Sequence, residues 1–372
     1  MRGGNMPLIE DTMDESTPWL VSALRERFQA TETGMIIDAN TDGNFTWCVQ
    51  ISAFERWFAE LESLLDQTLG RRIAHAAAES EEWHWMQQGE LPTPWFKRRA
   101  KRVDTVNEDW KLRGLGHFTV LESSEKDSTL LVTNRPHTSL AAGMANAVWE
   151  CIEENRYRFQ WSDRGAKETV IQASLDNRTI PNQVPVEYNW NDVDGNTDDL
   201  SRMYDLARWE SDGFWTVEGN RTVMLHRDLF IRFEALLSPY ISQTERTSDS
   251  RTEWCGIDEL DRLVTWDAMA DASRQQFLAS GELILIADPE HWESMSLRHL
   301  ALQGLGRIVK AESIDANGGV NLHLSAAFHP AIVVGRLLGC WERAEGRSAK
   351  AKWTSDTTGH HIQITSRREI AD

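Results

Sequence analysis

The chain of 372 residues contains no apolar run approaching the roughly 18 residues that a membrane-spanning helix needs, so no span is expected. Cysteine is scarce. Cys48, Cys151, Cys255 and Cys340 form no C-x-x-C pair and do not cluster, which argues against a disulfide framework and for buried thiols in a reducing, cytoplasmic setting. The opening Met1-Arg-Gly-Gly-Asn-Met-Pro7 leads into Glu10, Asp11, Asp14 and Glu15 rather than an apolar stretch, so no secretory leader is expected. Lysine is also sparse, and the net charge of −19 excludes a general nucleic-acid binder, because phosphate contacts need a basic face. The local exception, Lys97 to Arg102, reads as a solvated face or loop, with an anion-binding patch as the alternative. Glycine-rich phosphate loops, nucleophile elbows, H-E-x-x-H helices and cysteine–histidine clusters are all missing.

What the chain does contain is a copy of itself. Gly114-Leu-Gly116 matches Gly304-Leu-Gly306, and Glu122-Ser123 matches Glu312-Ser313, at an offset of 190. His137, Gly143, Trp149 and Trp161 match His329, Gly335, Trp341 and Trp353 at 192, as does Gly89-Glu-Leu91 with Gly281-Glu-Leu283. Upstream, Phe58-x-x-Leu61-Glu62 aligns with Phe230-x-x-Phe233-Glu234 at 172. Collinear matches of this kind mark a tandem duplication. The expected organisation is a tail over 1–14, a first copy over 15–175, a polar linker over 176–195 with Pro181 and Pro185, and a second copy over 196–366. The stretch 242–256 is expected to be an extra loop in the second copy.

Within a copy, apolar residues at helical spacing predict an amphipathic helix over 52–68 and a second over 69–88 that ends at Gly89. Strands are expected over 117–122 and 130–133, then a helix over 137–154, then strands over 157–161 and 169–173. The fold class is therefore α+β: two tandem copies of a helix-plus-antiparallel-sheet domain, packed as a pseudo-dimer. Gly143 and Gly335 lie inside their helices, where glycine costs about 1 kcal/mol relative to alanine, so each is expected to permit close packing of its helix on a sheet.

The segments 114–123 and 137–173, with their counterparts 304–313 and 329–365, resemble the 4-vinyl-reductase domain family, which is related to TRAPP subunits and heme-based nitric oxide sensors. That resemblance implies a small-molecule-binding or sensor-like protein. The cofactor is left open, and the family's own groups are not expected. Gln160, Asp163 and Ile171 stand where zinc ligands would fall, and Tyr240-Ile-Ser-Gln-Thr244 lacks the arginine of the heme signature.

Five residues stand out as ligand-binding candidates. Trp83, His84 and Trp85 form an aromatic run with no repeat counterpart, since Gln275-Gln-Phe277 is expected opposite them. His137 and His329 recur, either as pocket residues or as first-turn residues bonding to backbone. No catalytic or metal residue is assigned, His360-His361 being read as an exposed pair. The expected partner is a small apolar molecule, or else a protein or a second copy. The functional readings, in order, are a non-enzymatic binding protein, an interaction scaffold and a cofactor-dependent reductase.

Overall fold

Cys48 and Met224 lie opposite one another in an antiparallel pair formed by β3 (Thr46–Gln50) and β10 (Asn220–His226). Their pairing runs Thr222 with Gln50 to His226 with Thr46, so residue i of one strand is equivalent to i+176 of the other about a pseudo-twofold axis at that central pair. A computed structural model describes residues 16–89, 91–92, 98–198, 203–241 and 250–367 of the chain. The expected tail over 1–14 and residues 242–249 of the expected loop fall outside these residues. None of the helices among them is long and apolar enough to cross a membrane.

Each central strand runs directly into a 15-residue helix, α2 (Ile51–Leu65) from β3 and α6 (Arg227–Ile241) from β10. In α2 the buried residues Phe54, Trp57, Phe58 and Leu61 repeat at one helical face, and each such side chain contributes about 1.5–3 kcal/mol on burial. The helix stops at Asp66, in a left-handed conformation, whose N–H donates to the Glu62 and Ser63 carbonyls. The strand register and helix bounds correct the expected offset of 172 to 176, which makes Phe54 equivalent to Phe230 and Phe58 equivalent to Glu234. A slip of four residues is one turn, and it leaves an amphipathic stripe almost unchanged.

The helix that follows each central strand leans on the long helix of the other copy. α2 packs on α7 (Leu260–Ala279), where Trp57 Nε1 donates to the Met269 carbonyl at 3.4 Å. α6 packs on α3 (Gly70–Gln88), where the Ser80 hydroxyl donates to Asp228 at 2.6 Å. Both apolar faces are thus satisfied across the axis, and most of the buried side chains form one continuous cluster spanning both copies.

The remaining elements follow the expected order except for one helix ahead of each sheet that was not expected. In the first copy, α4 (Arg98–Arg113) precedes β4 (His117–Ser123), β5 (Asp127–Thr133), α5 (Thr138–Glu153), β6 (Tyr157–Asp163) and β7 (Glu168–Leu175), with sheet order β4-β5-β7-β6. In the second, α8 (Glu290–His299) precedes β12 (Gly306–Ser313), β13 (Val320–Ala327), α9 (Pro330–Glu345), β14 (Ala349–Asp356) and β15 (Gly359–Ser366). Here β11 (Thr252–Trp254) adds in parallel to the edge strand β14. That strand corrects the expectation of a plain extra loop over 242–256.

Two glycine pairs are explained by contact. A Cβ on Gly143 of α5 would lie 1.8 Å from the Ala74 carbonyl oxygen of α3, and one on Gly335 of α9 would lie 2.0 Å from that of Ala270 in α7. The close partner is therefore a helix, where a sheet had been expected, because α5 and α9 are sandwiched between sheet and long helix. Gly114 and Gly304, both at positive φ, press on the Thr222 and Thr46 carbonyls, so each Gly-Leu-Gly turn clamps the other copy's central strand.

The linker is irregular, as expected, but it is docked. Trp190 is buried and stacks edge-on to Trp266, and Asp192 accepts from Arg227 and the Ala327 N–H. Its composition concealed this because one aromatic residue and one paired carboxylate do the anchoring.

Candidate functional site

His84 is wholly buried on α3, at the junction of the two copies. Its ring lies 5.0 Å from that of His226, the last residue of β10, with a tilt of 36°. Asp38, which ends the short strand β2 (Ile36–Asp38), accepts from His226 Nε2 at 3.0 Å. Arg27, the last residue of α1 (Pro18–Arg27), grips both Asp38 oxygens through Nε and Nη2 at 3.0 Å each. Asp109 of α4 faces His84 Nε2 at 3.2 Å and receives Arg27 Nη2 at 2.6 Å and Arg113 Nη1 at 3.1 Å. Glu81, one turn before His84, takes Arg113 Nη2 at 2.8 Å and the indole N–H groups of Trp85 and Trp110.

Burial opposes ionisation of Asp38 and Asp109, yet the neighbouring histidines and Arg27 hold both carboxyls below the usual range, helped at Asp109 by Arg113. Burial and Arg113 together push His226 down, against the pull of Asp38. Asp38, His84 and His226 also bring one oxygen and two ring nitrogens within 4.8 Å of one another, the only such metal-capable group of three or more residues found among the described residues.

Of the sequence candidates, His84 and Trp85 enter this cluster, whereas Trp83 is half-buried beside it. The glycine crossings pair Ala74 with Ala270, an offset of 196, so the counterparts of Trp83–Trp85 are Ala279-Ser280-Gly281 at the end of α7. This corrects the expected Gln275-Gln-Phe277, again by one helical turn. The α2/α6 correspondence likewise makes Gln50 the mate of His226, so the cluster has no twin.

His137 and His329 lie elsewhere, at the starts of α5 and α9. His329 caps α9, its Nδ1 accepting from the Ala331 N–H at 3.3 Å while Nε2 meets Glu234 at 3.2 Å. His137 faces the edges of Phe54 and Phe58 instead, and burial with Arg135 pushes it down to about 4. Asp38, Asp109 and His226 were missed in the sequence, since they come from three elements far apart in the chain. The pair His360-His361 is split by strand alternation. His360 is buried against Asp192 and Trp353, contrary to the expected exposure, and His361 faces out.

The outer face of the second sheet is a different kind of surface. A hollow of about 780 Å³ is lined by Thr252, Glu253, Lys350, Lys352, Gln363 and Thr365 among others. A second of about 480 Å³ shares Lys352 and Gln363 with it and adds Lys310, Asn321, His323 and His361. The two imidazoles stack at 4.6 Å with an angle of 3°. Lys310, Lys350 and Lys352 are three of the chain's eight lysines. In the first sheet the equivalent of the cross-strand pair His323–His361 is Leu131–Val170, and the pair Lys352–Gln363 becomes Gln160–Gln172. The basic run near residue 100 is no such surface: Arg99 pairs with Glu153, and Arg102 with Glu154, while Lys97 lies outside the described residues.

The four thiols are free, and burial pushes Cys48, Cys151 and Cys340 up to about 12, which leaves them unreactive at neutral pH. Against known proteins, the chain matches no family model and no curated protein.

Proposed function

We propose that the chain is a non-enzymatic binding protein, built from two 4-vinyl-reductase-like domains, that takes a small anionic molecule on the outer face of its second sheet. The observation that carries this is the gathering of Lys310 and Lys352 beside a stacked histidine pair, with Lys350 in the adjoining hollow, on an otherwise acidic protein. Gln363, shared by both hollows, Thr365 in the first and Asn321 in the second add neutral hydrogen-bonding capacity to this face. Lys352 and Lys310 pair with Glu253 and Glu312, at 2.8 and 2.7 Å, which offsets the lysines' mutual repulsion. An anion would exchange these exposed pairs for charge-assisted bonds. The small apolar ligand that was expected is less favoured, because the repeated Trp149, Trp341 and Trp353 are packed in the cores.

Thermal-shift and calorimetric titration with phosphate, citrate and a nucleotide triphosphate test the reading. At least one should bind, and Lys352→Glu with Lys350→Glu should weaken it tenfold or more without altering the fold. Failure of every anion, or binding that the double variant leaves intact, would overturn it. A scaffold role is the second reading, favoured by Leu121, Leu131 and Val170 on the outer face of the first sheet, where Leu121 is 44% exposed. It predicts a bare chain that captures a protein partner through that face.

A further inference from the structure

The junction between the copies carries a second, independent inference. We infer that Asp38, His84 and His226 form a binding site for a divalent transition metal of the zinc class. Two imidazoles and a carboxylate are a donor set that zinc accepts readily, with a fourth position left for water or another group. His226 Nε2 and Asp38 Oδ2 lie 3.0 Å apart, near the roughly 3.3 Å edge of a tetrahedral site with such ligands. A nitrogen of His84 completes the triangle within 4.8 Å, so closing the site is chiefly a small approach of that ring.

Two observations point to a missing ligand rather than a finished salt-bridge network. Nδ1 of His84 is buried and has no hydrogen-bond partner, while its Nε2 faces Asp109 and the Gln88 amide. A ring held by a carboxylate on one nitrogen and free on the other is how metal-ligating histidines are commonly oriented, and Asp109 gives His84 that support. Charge is the second observation. The buried carboxylates Asp38, Asp109 and Glu81 outnumber the guanidiniums that hold them, Arg27 and Arg113, and Asp38 and Asp109 turn otherwise to the imidazoles of His226 and His84. A cation between those imidazoles would offset carboxylate charge that is costly in a protein interior. A proton on one imidazole is the competing solution, and the two are separable.

The full-length chain, stripped with a chelator and then titrated with Co²⁺ and Zn²⁺, is the test. One equivalent should bind at micromolar metal, with a visible Co²⁺ band and a rise in melting temperature. His84→Gln and His226→Gln should each weaken Co²⁺ at least tenfold while far-ultraviolet dichroism is retained. Should a variant fail to fold, ¹⁵N-histidine spectra of the unaltered chain decide the matter, since Zn²⁺ must move the ring nitrogens of both His84 and His226. Absence of binding, or binding that shifts only the surface pair His323 and His361, would overturn the site.

Discussion

Gly143 and Ala74 mark the closest approach of α5 to α3, and Gly335 and Ala270 repeat it between α9 and α7. At 1.8 and 2.0 Å from a carbonyl oxygen, an added Cβ has no room, and the obstructing atom is backbone that cannot rotate aside. Gly143→Ala or Gly335→Ala must therefore push two helices apart, at a cost of about 3 kcal/mol despite the better helix propensity of alanine. Urea denaturation checks this. A loss below 1 kcal/mol in both variants would mean that the crossings are looser than the backbone places them.

Glu81 supports a second expectation. It is wholly buried and satisfies Arg113, Trp85 and Trp110 together. Glu81→Ala leaves two indole N–H groups without partners in the core and Arg113 with Asp109 alone, which should cost about 3 kcal/mol. Arg99→Ala is the control, because its pair with Glu153 is half-exposed and screened by solvent, so the change should stay within about 0.5 kcal/mol. Similar losses for the two variants in chemical denaturation would contradict the burial that separates them.

The docked linker gives a third. Trp190 packs on Trp266 and His329, and its removal by Trp190→Ala should cost about 3 kcal/mol. The same change should free the linker and raise its rate of cleavage by a protease several-fold. Unchanged proteolysis would show that Asp192, held by Arg227 and His360, anchors the segment by itself.

How far these features were legible follows from their physics. The duplication, the α+β class and most elements were readable because apolar periodicity and turn glycines are local signals. Helix α4 was not, since its charged surface positions carry little pattern, and its buried Arg102, Asp109 and Arg113 look solvent-facing in sequence. Register within the paired helices slipped by one turn for the same reason that amphipathic helices tolerate such slips. His84 could be singled out as part of an unusual aromatic run. Its partners Asp38 and His226 could not, because they end β2 and β10, far from it in the chain, and only the packing of the two copies brings them to it.

His137 makes stability depend on pH. Its folded value of about 4 lies below the usual 6.5, because burial against Phe54 and Phe58 and the charge of Arg135 disfavour the imidazolium, while Asp163 opposes them only weakly. Between those values the unfolded chain binds more protons than the folded one, so acid favours unfolding. The contribution of neutral His137 is complete above pH 6.5, declines as pH falls, and is spent below about 4. At pH 5 the loss should be about 1–2 kcal/mol. His137→Leu keeps the ring's apolar contacts in part and cannot titrate, so its denaturation midpoint should fall less between pH 7.5 and pH 5 than that of the unaltered chain. The other buried titratable groups, among them His226 and His299, are common to both proteins and cancel in the comparison. An equal fall in the two proteins would place the acid sensitivity on those residues and remove it from His137.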